Sequence, residues 1–155
     1  VSLQAQRELR APFDAQSQEI AVEHMHILTD AAPVPHGAYD QAIRIGDMVI
    51  TSSYMGLHPS HAGIIAGGFE AEFRQAMHNI IAVLAAAGCT LRDVVRVNVS
   101  LTDIQKYTEM DRLYREYFHP PYPTRRTIGV KELIGGAQVE IDVIAIVREN
   151  GGHSQ

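Results

Sequence analysis

Pro120-Pro121-Tyr122-Pro123-Thr124-Arg125-Arg126-Thr127-Ile128, followed after a short gap by Gly135-Gly136-Ala137-Gln138-Val139-Glu140-Ile141-Asp142-Val143-Ile144-Ala145, is the part of the chain from which the rest is best read. Prolines fix φ and remove backbone donors, so residues 120–123 are held extended. Two arginines follow at once, and an arginine placed there has little backbone freedom left. Its planar fork matches a carboxylate through two parallel hydrogen bonds. The plainer reading makes Arg125 and Arg126 solvated surface charges, as charged residues mostly are. The second segment puts a carboxylate, Glu140, at the start of the most apolar strand in the sequence. Ile141, Val143 and Ala145 fall on one face of that strand, and Ile144 and Ile146 on the other. A strand apolar on both faces must be buried on both sides.

Upstream, Tyr39, Gln41, Ile43 and Ile45 alternate with Ala38, Asp40, Ala42 and Arg44, which is strand periodicity. Gly46-Asp47 is a tight turn, and residues 48–54 read as the returning strand of a hairpin. Phe69, Phe73, Ala76, Met77, Ile80, Ile81 and Leu84 recur at helical spacing, with Gly88 where a C-terminal cap belongs. Val95, Val97, Val99 and Leu101 predict a third strand. Thr102 and Gln105 fit a capping box for a second helix with the stripe Tyr107, Met110, Tyr114, Tyr117 and Phe118. Residues 128–130 predict a short strand and residues 139–147 the last one. The expected order is β-β-α-β-α-β-β, an α+β fold. Two amphipathic helices cover only one face of such a sheet, so the second face needs a partner, most simply another copy of the chain.

The 155 residues suggest one domain. Residues 1–24 read as a polar N-terminal arm containing a short helix over residues 15–23, residues 25–150 as the domain, and residues 151–155 as a tail. A net charge of −5 argues against a general nucleic-acid binder. Cys89, the single cysteine, allows no internal disulfide and favours a cytoplasmic location; it reads as a small buried side chain. No apolar run approaches the length of a membrane span, and the first residues lack the apolar core of a signal peptide. His24 with His26, and His58 with His61, are close pairs without a third ligand at a recognisable spacing, so no metal site is expected.

Taken in order, several short motifs resemble the RidA/YjgF family of reactive-intermediate deaminases, also called the endoribonuclease L-PSP family. His36-Gly37-Ala38-Tyr39-Asp40-Gln41-Ala42 is similar to the family's G-P-Y-S-Q-A. Ala85-Ala86-Ala87-Gly88-Cys89-Thr90-Leu91-Arg92-Asp93-Val94-Val95 resembles A-A-G-x-S-L-x-D-V-V. Leu101-Thr102-Asp103, Met110-Asp111-Arg112-Leu113-Tyr114, Pro123-Thr124-Arg125-Arg126-Thr127 and Val139-Glu140-Ile141 follow the same pattern. The resemblance implies a chorismate-mutase-like mixed sheet with two helices on one face and a homotrimer with its sheets inside. It implies active sites between subunits and hydrolysis of enamines or imines, such as 2-aminoacrylate, to a 2-oxo acid and ammonia. No metal or organic cofactor is implied. Arg125 would hold the substrate carboxylate and Glu140 would lie near the attacking water. Tyr39 of a neighbouring subunit would line the cleft, with Ser52, Asp111, Arg126 and Thr127 completing it.

An imine carbon beside a carboxylate is already electrophilic, so such a site needs placement and proton traffic and no strong nucleophile. Against the family pattern, Asp111 replaces an asparagine, Asp40 and Arg126 replace serines, and Tyr54 replaces a glutamine. These departures suggest a pocket unlike that of a housekeeping 2-aminoacrylate deaminase, as in family members acting on aminomuconate. Asp111 is expected near the cleft or, failing that, in a local helix pair with Arg112 or Arg115. Two other functions compete: a binding module for a small carboxylic acid without turnover, and an RNA-cleaving or translation-inhibiting protein. The acidic balance counts against the RNA reading.

Overall fold

The alternation in the sequence becomes one mixed sheet with both helices packed against the same face. A computed structural model describes residues 23–61 and 63–148. The strands are β1 (His24–Ile27), β2 (Ala42–Ile45), β3 (Met48–Thr51), β4 (Val94–Leu101), β5 (Thr124–Gly129) and β6 (Val139–Ile146). The helices are α1 (Gly68–Ala86) between β3 and β4, and α2 (Tyr107–Tyr117) between β4 and β5. Strand order is β1-β2-β3-β6-β4-β5, with β4 and β5 parallel and all other neighbours antiparallel. The expected α+β class holds, and the sequence reading missed one strand. β1 begins at His24, where the arm was expected to end. Three of its four residues are exposed, so it carries almost no hydrophobic signal. The expected arm up to residue 22, its short helix and the tail lie outside the described residues.

The sheet has one closed face and one open face. Val49, Val97, Val99, Leu101, Val139, Ile141, Val143 and Ala145 are buried against α1 and α2. Phe73, Met77, Ile80 and Leu84 of α1 and Met110 and Leu113 of α2 meet them and are fully buried. Burying one such side chain stabilises the fold by roughly 2 kcal/mol. Alternate residues point the other way. Ile43 pairs with Ile50, Ile50 with Ile144, and Met48 with Ile146. This apolar band is partly covered within one chain and no described helix crosses it, which is how the two-sided character of β6 appears in space.

Local corrections have simple causes. Gly88, at φ +77, takes the left-handed position after the Ala87 cap of α1, as expected. The expected Thr102 box does not form: Asp103 caps a 3-10 turn (Ile104–Lys106) ahead of α2, its side chain accepting from the Gln105 amide at 2.9 Å. Thr102 instead donates its backbone N–H to the Gln138 carbonyl at 3.1 Å, tying the end of β4 to the start of β6. A capping box does form at Thr90 and Asp93. In α2 Leu113 belongs to the core and Tyr107 does not, being 44% exposed. The first strand of the hairpin is shorter than the alternation suggested. Gln41 leaves the ladder and turns its buried amide inward, where it donates to the carbonyls of Thr29, Ala32 and Pro33. A side chain committed to loop carbonyls fixes the loop that carries Tyr39.

Candidate active site

The stretch expected as a stiff turn ahead of a short strand is itself strand from Thr124 onward. Strand geometry sends Arg125 and Arg126 to opposite faces. Arg125 pairs with Val97 and Thr127 with Val99, so both take the helix-covered face. Arg126 pairs with Asn98 and takes the open face. Because β5 is the edge of the described sheet, half of its backbone groups, including some at Arg126 and Thr127, have no strand partner among the described residues.

Above Arg125 lies α2. Tyr107, Asp111 and Tyr114 are spaced i, i+4 and i+7, which places them on one side of the helix. Two ion pairs steady α2 on α1: Arg74 to Glu116 at 2.7 Å and Arg112 to Glu70 at 2.8 Å. Arg125 Nη1 lies 2.9 Å from Asp111 Oδ1, and Nη2 donates to the Tyr107 hydroxyl at 2.9 Å. The guanidinium stands 4.5 Å from the Tyr114 ring centre, a cation–π stack. Asp111 Oδ2 accepts from Arg115 Nε at 2.9 Å, and Arg115 Nη1 donates to the Tyr122 hydroxyl at 3.4 Å. Asp111, Tyr114, Arg115, Tyr122, Pro123 and Arg125 enclose a cleft of about 290 Å³.

The electrostatics follow from these contacts. Burial pushes the Asp111 carboxyl up, but hydrogen bonds from Arg125 and Arg115 outweigh it and hold the group below its ordinary value. Burial pushes the Tyr114 hydroxyl up to about 12, so it keeps its proton. That hydroxyl is buried without a hydrogen-bond partner among the described residues, as is Thr127 Oγ1 on the same face as Arg125. Buried unpartnered polar atoms are uncommon in folded proteins. Here one belongs to a cleft-lining residue and the other lies two residues from the central arginine.

Glu140, Tyr39 and Ser52 lie elsewhere. Val139 and Ile141 are buried on the helix side, so Glu140 points to the open face and away from Arg125. Ile141 exchanges two backbone hydrogen bonds with Tyr54, which sets Glu140 beside the Ser52–Tyr54 stretch. Burial, with Asp142 adding to it, raises the Glu140 carboxyl above its ordinary value. Along the same face Arg96 donates to Asn98 at 3.2 Å, and Asn98 to Asp142 at 2.7 Å, with Arg126 across from Asn98. Tyr39, 55% exposed, lines a small pocket with Ser52, Tyr54 and His36. Ser52 Oγ donates to the Asp40 carbonyl at 2.5 Å, and the Asp40 carboxylate meets His26 Nδ1 at 2.7 Å. The buried Tyr54 hydroxyl donates to the Gln41 carbonyl at 3.0 Å.

One chain therefore carries two groups of site residues. Arg125, Asp111 and Thr127 lie on the helix side; Glu140, Ser52, Tyr39 and Arg126 do not join them. Sequence reading missed the roles of Tyr107 and Tyr122; the Asp111–Arg115 helix pair it offered as the alternative does form, together with the contact to Arg125. The aromatic stripe of α2 reads as core, and only the interleaved Asp111 and Arg115 signal a polar face. Cys89 is buried, and burial raises its thiol. His58 and His61 touch through Nδ1 atoms at 2.9 Å. Among the described residues no group of three or more His, Cys, Asp or Glu side chains is placed to hold a metal ion, and no helix is long and apolar enough to cross a membrane.

The model of the family described as Endoribonuclease L-PSP matches residues 29–147. A 2-iminobutanoate/2-iminopropanoate deaminase of Dermatophagoides farinae is 35% identical over 121 residues, 78% of this chain and 94% of that one. The crystal structure of RidA from an Antarctic Psychrobacter superposes with a TM-score of 0.76 at 37% identity, covering 79% of this chain and 98% of that one. The structure of E. coli TdcF with bound serine gives 0.74 at 30% identity, covering 81% and 99%. The chain belongs to the endoribonuclease L-PSP family, that is, the RidA/YjgF family.

Proposed function

We propose that the chain hydrolyses an imine or enamine to a 2-oxo compound and ammonia, in clefts completed between copies arranged as a homotrimer. The observation that carries this reading is Arg125, stacked on Tyr114 at the wall of a cleft of about 290 Å³. A fixed guanidinium with N–H groups to spare anchors the acid or carbonyl end of a small substrate. Relatives named as 2-iminobutanoate/2-iminopropanoate deaminases, and a serine-bound structural neighbour, support a small amino- or imino-acid ligand.

The reaction adds water to the C=N carbon while the nitrogen gains a proton. The carbinolamine then expels ammonia as its hydroxyl proton leaves and the C=O bond forms. Glu140 suits the proton transfers, because a carboxyl raised by burial exchanges its proton nearer to neutral pH. It faces away from Arg125 within one chain, so the two meet only if the open face of one copy lies against the cleft of another. The apolar band of Ile43, Ile50, Ile144, Ile146 and Met48 favours such burial. In this arrangement Glu140, Ser52 and Tyr39 come from one subunit, and Arg125, Asp111 and Thr127 from its neighbour.

Ammonia release tests the reaction. Imines are generated in situ by an amino-acid oxidase, and the chain is added. Ammonia appearing faster than in buffer is the expected result. Ligand binding without any acceleration would leave a binding module and end the deaminase reading.

A further inference from the structure

We propose that Asp111 is a specificity-determining residue that turns the Arg125 cleft away from free carboxylates and toward a neutral carbonyl, an amide or ester, beside the reacting carbon. This narrows the substrate class of the proposed deaminase and rests on Arg125 as the anchor of the substrate's acid or carbonyl end.

Arg125 already has its carboxylate. Asp111 Oδ1 sits 2.9 Å from Nη1, and the Tyr107 hydroxyl accepts from Nη2. Asp111 is held from the far side as well, by Arg115 Nε at 2.9 Å, so swinging it away breaks both contacts. A ligand carboxylate on the remaining Arg125 donors would lie within a few ångströms of Asp111, in a cleft where neither group is fully solvated. Like charges at that range repel strongly at protein dielectrics. Arg115 offsets this in part only, since it is committed to Asp111 and Tyr122 and its side chain is 61% exposed. A neutral carbonyl oxygen accepts from the same Arg125 N–H groups without the repulsion.

Pyruvate and pyruvamide have nearly the same shape and differ by one charge. Dissociation constants for both are measured by NMR titration on the full chain, wild type and Asp111→Asn, with thermal unfolding as the check on folding. Wild type is expected to bind pyruvamide at least as tightly as pyruvate. Asp111→Asn should tighten pyruvate about fivefold or more and leave pyruvamide within about twofold. Arg115→Gln, which leaves Asp111 to Arg125 alone, should weaken pyruvate about threefold and spare pyruvamide. Should Asp111→Asn fail to fold, Asp111→Ser carries the test, with the same tightening of pyruvate and not of pyruvamide expected. Equal shifts for both ligands, no shift in either, or no binding of either ligand to any form would overturn the proposal. No turnover is read, so failure here is distinct from failure to release ammonia.

Discussion

The two faces of the sheet are built from the same strands and end up chemically unlike. On the helix side, alternate residues of β4 and β6 are buried, and at the edge strand a charged group enters, as Arg125 under α2. On the other side the same strands place Ile144 and Ile146 near one end and Glu140, Asp142, Asn98 and Arg126 near the other. The first face is completed by its own chain. The second is half-finished: an apolar band with no described helix over it, and a carboxyl held above its ordinary value by burial and a like-charged neighbour. A period of two in a strand thus divides one proposed reaction between two surfaces, which a single chain cannot bring together.

Glu140→Gln attacks the open face and should have the largest effect. Losing a proton-transfer group should lower kcat by about 100-fold or more. Unchanged turnover of in-situ imines would remove Glu140 from the chemistry. Stability should move oppositely. The folded chain holds the Glu140 proton more tightly than the unfolded chain, so ionising it costs the folded state. That cost is absent below the ordinary value of 4.5 and sets in as pH rises through and above it. The glutamine variant should therefore melt higher than wild type near neutral pH and equally near pH 4. A gap that widens on acidification would contradict the assignment.

Arg125→Lys attacks the closed face. Lysine keeps the charge and loses the planar fork, so kcat/KM should fall about 30-fold, the equivalent of one charge-assisted hydrogen bond. Thermal unfolding should barely change. Tyr107→Phe removes one acceptor from Arg125 and nothing from the core, so a three- to fivefold rise in KM at unchanged kcat is expected. A fall in kcat alone would mean that Tyr107 acts on the reacting atoms.

Much of this was legible in the sequence because burial leaves a period. The alternation of β4 and β6 and the stripe of α1 gave the sheet and its covered face. The two-sided β6 pointed to an open one. β1 was invisible, since His24, Met25 and His26 are exposed and give no alternation to read. β5 was read four residues late because Thr124, Arg125, Arg126 and Thr127 have no apolar residue among them, yet parallel pairing with β4 makes them strand. The same blindness hid the site's partition. Arg125, Arg126 and Glu140 can be named from a linear motif, but their facing depends on register, which no motif carries. Asp111 was the converse case: its place beside Tyr107 and Tyr114 on the helix was readable, and its grip on Arg125 required the fold.

The most direct test mixes two impaired chains. Arg125→Lys and Glu140→Gln are co-expressed, the mixed assemblies purified through distinct tags, and imine hydrolysis compared with each parent. If the cleft of one copy is completed by the open face of another, every mixed trimer holds one intact site of its three and returns roughly a third of wild-type activity. Mixed assemblies no more active than the parents would contradict a site shared between copies.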